Sequence, residues 1–293
     1  QRIKSILNYT TYSKSSFGNL NNDYINGDVL FDKVSFSING CEILKNISFE
    51  AKPNEITTIV GRPGSGKTTI INLLYRLYSL KSGNIFIDGK SIFNYTKKVY
   101  TSNVSGVFQK PIIFKMSIRD NLSAIDRNQK HQIDACKRVG LYEKISSLPR
   151  GFNTILDEDS SIFTDGELQK LAIARALLSQ AEILLFDEVT SNVDPETSKD
   201  IIEILQDLKE DHTVIVITHK PEIMKIADKI VVLKDGQVVA EGKNKEVFTK
   251  CALYRTLRTA TFARPSLDDE TEHIKADSSS DFLHHEETTL ELK

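Results

Sequence analysis

EITTIVGRPGSGKTTIINLLYRLYSL, residues 55–80, decides the fold. It opens on a short apolar run. Its last stretch, Lys67 to Leu80, repeats apolar positions at helical spacing. Between the two, Gly61, Gly64 and Gly66 satisfy the pattern G-x-x-x-x-G-K-[ST], completed by Lys67 and Thr68. A strand that turns through such a loop into a helix aims backbone N–H groups and the positive helix end at an oxyanion. Glycine lets the backbone approach closely, a lysine here reaches terminal phosphates, and a threonine hydroxyl suits Mg2+. Arg62, Pro63, Ser65 and Thr69 fill out the loop. The pattern sits between strand and helix, where the mechanism needs it, so the phosphates of a nucleotide are the expected ligand.

Upstream, VLFDKVSFSI and EILKNISFEA alternate apolar and polar positions around Asn39-Gly40, so Val29 to Ala51 reads as antiparallel strands with one buried face. The stretch before it, SKSSFGNLNNDYINGD, is rich in Ser, Asn and Gly, and residues 1–27 read as a linker. Downstream, NIFIDGK is a strand and turn. The pattern from about Pro111 to Gln180 is mainly helical, with pieces expected at Asp120–Ile125 and Gln129–Leu148, and forms a separate lobe. EILLFDE, TVIVIT and KIVVLKDG are compact apolar strands separated by the helical stretches PETSKDIIEILQDLKE and PEIMKIA, the order of a parallel sheet covered by helices. Asp194 caps the first of those helices, with Pro195 in its first turn. Residues 28–262 thus form one α/β unit. From residue 263 to 293 nine acidic residues, three basic ones and a serine triplet predict disorder.

With 40% hydrophobic residues the chain can build a real core. A formal charge of −2 gives no basic field to attract nucleic acid or an anionic membrane. Cys41, Cys136 and Cys251 are far apart and form no metal or redox motif, which fits a reducing compartment. No run approaches the roughly 18–20 apolar residues of a membrane span, and QRIKSILNYT lacks the apolar centre of a signal peptide, so the chain is expected to be soluble. His284-His285 reads as a solvated pair.

Two further places carry chemistry. The strand Ile183-Leu-Leu-Phe ends in Asp187 and Glu188, an arrangement in which the first carboxylate holds a metal and the second polarises a water. Paired acids at strand ends are common on surfaces, so this pair takes its meaning from the phosphate loop. His219 follows TVIVIT, at the end where α/β sheets bind ligands.

With these residues in place, the chain resembles the nucleotide-binding domain of an ATP-binding cassette (ABC) transporter, over about Val29 to Ala260. The resemblance covers the Walker A loop Gly61–Thr68, the glutamine in VFQKP at Gln109, a signature segment at Phe163–Glu167 and the Walker B strand ending at Asp187. Beyond these come Glu188, the D-loop Ser191–Asp194 and the switch histidine His219. The resemblance implies a P-loop NTPase of the ABC-type ATPase fold, with a parallel-sheet core, an antiparallel β subdomain and an α-helical subdomain. It implies ATP and Mg2+ as cofactors, Thr68, Gln109 and Asp187 at the metal, Glu188 and His219 as catalytic residues, and Thr164, Asp165, Gly166 and Glu167 facing the partner's ATP. SLPRGFNTILDEDSS, with Glu158, and IFKMSIRDNL and QRIKSIL resemble the exporter branch. The implied partners are an exporter's transmembrane domain and a second nucleotide-binding domain, at the cytoplasmic face of a membrane, with no nucleic acid.

The departures matter as much. Ile38 stands where exporters carry an aromatic that stacks on adenine, forgoing on the order of 1 kcal/mol and predicting weaker affinity. Asn54 replaces a common glycine as a turn residue. The family's LSGGQ is here Phe163-Thr164-Asp165-Gly166-Glu167. Thr164 and Glu167 still form a capping box, but Asp165 adds a Cβ and a carboxylate near phosphate oxygens. Two unit charges ~4 Å apart repel by about 4 kcal/mol at an effective dielectric near 20, before solvent and Mg2+ reduce it. The expectation is a non-identical pair with one competent and one degenerate site. A homodimer with two slow sites, a nucleotide-gated channel or regulatory cassette, and a soluble ABC ATPase acting on nucleic acid or ribosomes are the rivals. The last would need a coiled-coil insertion, a tandem cassette or a basic face, none of which is evident.

Overall fold

The computed structural model describes residues 17–21, 24–157 and 162–259. The readings made for QRIKSIL, Glu158, His284-His285 and the acidic tail fall outside these residues.

Strands β1 (Val29–Ile38) and β2 (Cys41–Ala51) pair antiparallel across Asn39 and Gly40, whose φ values of 50° and 80° give the left-handed turn that matches strand twist. β3 (Ile56–Gly61) leads through the glycine loop into α1 (Lys67–Leu74). β4 (Ser82–Ile87), β5 (Lys90–Ser91), α2 (Lys97–Asn103) and β6 (Val104–Val107) follow. The helical stretch holds α3 (Ile118–Ser123), α4 (Gln129–Arg138), α5 (Tyr142–Ser147) and α6 (Asp165–Leu178). The chain then alternates through β7 (Ile183–Asp187), α7 (Pro195–Leu208), β8 (Thr213–Ile217), α8 (Pro221–Ile226) and β9 (Lys229–Lys234). It returns through β10 (Gln237–Lys243) to α9 (Asn244–Lys250) and α10 (Ala252–Thr259).

One sheet is antiparallel, in the order β2-β1-β4-β5; the other runs β10-β9-β3-β8-β7-β6, parallel except for its edge strand β10. Every residue of β3, β7 and β8 is buried, which is why these segments read as mostly apolar runs, broken by the buried Thr57 and Thr58 of β3, Asp187 at the end of β7 and Thr213 at the start of β8. Alternate side chains serve two cores. Leu184, Phe186, Val214 and Val216 pack toward the helical stretch, while Ile183, Leu185, Ile215 and Ile217 face α1 and the antiparallel sheet.

Three local expectations are corrected. α1 stops at Leu74 instead of continuing to Leu80, because Arg76 turns left-handed (φ 56°), buries its guanidinium 3.9 Å over the Phe17 ring and donates to Ile92 O at 2.9 Å. Gly140, at φ 71°, splits the expected Gln129–Leu148 helix into α4 and α5. α3 begins two residues earlier than expected, where the Ser117 hydroxyl caps it by accepting from Asp120 N. Within the segment read as a linker, Ile25 is buried and Leu20 bridges to Tyr95. The Asp194 cap forms as expected, accepting from Thr197 N at 2.9 Å ahead of Pro195. Asn54 takes the left-handed turn, at φ 58°.

Candidate functional site

Parallel pairing levels the carboxyl ends of four adjacent strands. Ile59 and Asp187 both register on Ile217, and Phe186 registers on Val107. Gly61, Asp187, His219 and Gln109 therefore emerge from β3, β7, β8 and β6 along one rim of the sheet, the rim where such folds bind ligands.

The loop on that rim has no room for a side chain at its two ends, Gly61 and Gly66. A Cβ on Gly61 would lie 2.4 Å from Leu233 O and 2.6 Å from Ser65 Oγ, and one on Gly66 would lie 2.7 Å from Leu44 Cδ2. Gly66, at φ 103°, starts α1 with no side-chain cap and no acid in the first turn, so the helix end is left for an anion. Ser65 N donates to Arg62 O at 3.2 Å, while the buried Ser65 hydroxyl has no partner among the described residues. Arg62, Pro63 and Gly64 form the exposed crest, and Thr68 and Thr69 follow Lys67 in the first turn of the helix. The Lys67 ammonium donates to Gly61 O at 2.9 Å and Arg62 O at 3.1 Å. Burial lowers its pKa, against the pull of Glu188 and Asp187.

Asp187 faces this lysine. Burial raises its pKa, with Glu188 adding to the rise, while a hydrogen bond from Thr68 and the charge of Lys67 oppose it. A buried carboxylate so penalised suits a cation. Glu188 follows in a left-handed conformation (φ 48°), its N–H donating to Ile217 O at 2.9 Å. Such backbone costs a non-glycine residue on the order of 1 kcal/mol and turns the side chain off the strand line. Gln109 Nε2 donates to Glu188 Oε2 at 3.2 Å and Ser191 Oγ at 3.3 Å, and His219 Nδ1 lies 3.6 Å from Glu188 Oε1. The glycine cradle, the unpartnered Ser65 hydroxyl and the facing carboxylate fit Mg-ATP. Residues 61–69 would hold its phosphates, with Thr68, Asp187 and Gln109 at the cation.

Ile38 ends β1, half-buried against the antiparallel-sheet core and paired with Cys41. Thr164, Asp165, Gly166 and Glu167 lie elsewhere, at the start of α6; among the described residues no hydrogen bond joins them to Gly61–Thr69. The capping box forms: Glu167 N donates to Thr164 Oγ1 at 3.3 Å and Thr164 N to Glu167 Oε2 at 2.8 Å. Lys144 Nζ donates to both Glu167 oxygens at 2.6 Å. Burial would raise the Glu167 pKa, but these bonds outweigh it and hold it below the usual value. Asp165 is exposed, and a Cβ on Gly166 would meet Thr197 Cγ2 at 2.5 Å.

The sequence reading missed the residues that tie α6 to this rim. Gln169, 2% exposed, donates to Phe108 O at 3.1 Å, next to Gln109. Arg175 donates to Ile112 O at 2.5 Å and lies 5.1 Å over the Phe114 ring. Tyr75 packs on Phe108, ring centroids 5.1 Å apart. Gln169 and Arg175 signal themselves only as polar residues inside a helix with many apolar positions, and Tyr75, at the end of α1, gives no signal.

Fold and rim together define a nucleotide-binding α/β protein of the P-loop class. The ABC transporter family profile matches residues 44–191, half of the chain, and the chain belongs to that family. It is 36% identical over 252 residues to the alpha-hemolysin translocation ATP-binding protein HlyB of Proteus vulgaris, covering 85% of this chain and 35% of that protein. It is 36% identical over 242 residues to the ATP-dependent lipid A-core flippase of Haemophilus influenzae, covering 81% of this chain and 41% of that one. A bacterial Atm1-family ABC exporter with ATP bound superposes with a TM-score of 0.79 at 28% identity, over 90% of this chain and 47% of that one. The chain thus spans less than half the length of these relatives. Among the described residues no helix is long and apolar enough to cross a membrane.

Proposed function

We propose that this chain is the ATP-hydrolysing cassette of an exporter, joined to a transmembrane domain and working on the cytoplasmic face of the membrane. The observation that carries this is the convergence of Lys67, Asp187, Glu188, Gln109 and His219 on one rim of a parallel sheet. ATP is the phosphoryl donor, and Mg2+ bound beside it would screen the phosphate charge. Lys67 exchanges the carbonyls of Gly61 and Arg62 for phosphate oxygens. Thr68, Asp187 and Gln109 would hold the cation. Glu188 accepts a proton from the attacking water and His219 holds its carboxylate in place. Ile38, aliphatic where a stacking ring would serve, weakens the grip on the base.

The second half of the site comes from another cassette. This chain's own start of α6, with Asp165, completes the partner's site and makes it the degenerate one, while the partner supplies an unaltered signature to the competent rim described here. The partner cassette is accordingly non-identical. Contact with the membrane domain is supported by the exposed apolar run Phe108, Ile112, Phe114 and Met116, with Ile155 beside it.

ATP hydrolysis by the assembled exporter tests both parts. Glu188→Gln is expected to lower turnover by about 10²-fold or more, and turnover left intact would refute the catalytic assignment. A partner identical to this chain would end the asymmetric reading.

A further inference from the structure

The link between a cassette's own rim and the segment it lends to its neighbour is visible in the packing of α6 against α7. A Cβ on Gly166 would stand 2.5 Å from Thr197 Cγ2, so the two helices meet with no room for a side chain at that point. One turn further along α6, the Lys170 ammonium bonds Asp200 Oδ2 at 2.5 Å. The Lys170 side chain is 10% exposed, and its Nζ passes 4.0 Å from the Cβ position of Gly140. An ammonium this deep needs its counter-ion. α7 is the helix that Asp194 starts, and the D-loop before it is fixed to the rim: the Ser191 hydroxyl donates to Glu188 O at 2.9 Å and Ser191 Oγ accepts from Gln109. From the opposite side Lys220, next to His219, reaches Ser198 of α7 at 3.4 Å.

We propose that Lys170 is a positioning residue whose ion pair with Asp200 fastens the signature helix to the D-loop helix, so that the state of Glu188 sets where this chain's Thr164–Glu167 segment meets the partner's nucleotide. The inference rests on the two-cassette reading above. Gln169 and Lys170 are successive residues of α6, and they bond in different directions. Gln169 holds the Gln109 segment and Lys170 holds α7, so α6 is attached to the Glu188 network by two routes. The chain's signature serves one composite site and its Glu188 the other, so severing the Lys170 route leaves only the Gln169 attachment, weakens the coupling between the two sites and leaves the phosphate loop untouched.

The test uses the assembled exporter, with ATP affinity measured in parallel on the isolated chain. Lys170→Met is expected to lower kcat by about tenfold while KM, the isolated chain's affinity for ATP and its thermal midpoint stay near wild type. Asp200→Asn is expected to lower kcat likewise with KM and ATP affinity unchanged, though with a lower thermal midpoint because the buried Lys170 ammonium loses its counter-ion, and it carries the test should Lys170→Met not fold, because Asp200 itself is half-exposed. The exchanged pair K170D/D200K is expected to recover most of the lost turnover. Unchanged kcat in both single variants, or a loss that the exchanged pair fails to recover, overturns the inference while the ATPase reading stands. A wild-type assembly that does not hydrolyse ATP overturns that reading, and the inference with it.

Discussion

Two helix beginnings in this molecule face opposite electrostatic tasks. α1 starts at Gly66 with a bare end: no side-chain cap, no acid in its first turn, and a loop too tight for any Cβ at Gly61 or Gly66. α6 starts at Thr164 with its end already satisfied, capped by Thr164 and Glu167, with Asp165 and Glu167 in the first turn and Lys144 balancing Glu167. The first leaves its N–H groups and dipole for a ligand's charge. The second has spent part of that capacity on its own carboxylates, and the exposed Asp165 forms no ion pair among the described residues. Helix dipoles alone therefore do not make a phosphate site. The residues that leave the dipole unanswered do.

Removing a charge from the bare end should have the largest effect. Lys67→Met is expected to weaken Mg-ATP binding by the isolated chain by about 10²-fold, the loss of charge-assisted hydrogen bonds to buried phosphate oxygens. Isothermal titration would show it, and an affinity within twofold of wild type would mean that the phosphates lie elsewhere. At the capped end the sign reverses. Asp165→Gly is expected to strengthen ATP-dependent closure of the assembled pair by about tenfold, well under the bare ~4 kcal/mol repulsion because water and Mg2+ screen it. Nucleotide trapping in the assembly would measure this, and no gain would show that the aspartate is a bystander.

Asp187 sharpens the contrast through pH. Its folded pKa is raised, chiefly by burial, so its protonated form favours the fold, and that contribution is lost as pH rises through the raised value. Neutral pH thus finds a penalised carboxylate waiting for a cation. Asp187→Asn is expected to raise the melting temperature of the nucleotide-free chain at pH 7. The gain should fade in acid, where wild-type Asp187 is protonated too, and Mg-ATP should no longer stabilise the variant. Melting curves at two pH values, with and without Mg-ATP, check all three signs.

The rim was legible in sequence because each part is a local pattern with one physical cause. Mostly apolar runs mark β3, β7 and β8, glycines mark the loop, and the candidate acids and histidine sit at or within two residues of strand ends. The rest depends on contacts remote in sequence. Nothing near Tyr75 announces that α1 must stop; Arg76 stops it by reaching Phe17, Phe93 and Ile92 O. Glu188 gives no hint of its left-handed backbone, which the bond from its N–H to the neighbouring strand helps to hold. Gln169, Lys170 and Arg175 read as ordinary polar helix residues until Phe108, Asp200 and Ile112 are placed opposite them. Gly140 is the exception, since a glycine shortly after Lys137 and Arg138 is a readable helix stop.

The smallest effect expected is also the cleanest test of whether the two helix starts are independent. The Thr164 hydroxyl accepts from Glu167 N and donates to the Glu167 carboxylate at 3.2 Å. Thr164→Ala removes both bonds but leaves Lys144 on Glu167, so the cost is that of a lost cap, about 1 kcal/mol. For a domain of this size that lowers the melting temperature by roughly 2–4 °C. ATP affinity of the isolated chain should not change, because α1 and its loop share no hydrogen bond with Thr164 among the described residues. If affinity and stability fall together, the start of α6 acts on this chain's own phosphates, and the division between a bare end that binds and a capped end that is lent to a partner is wrong.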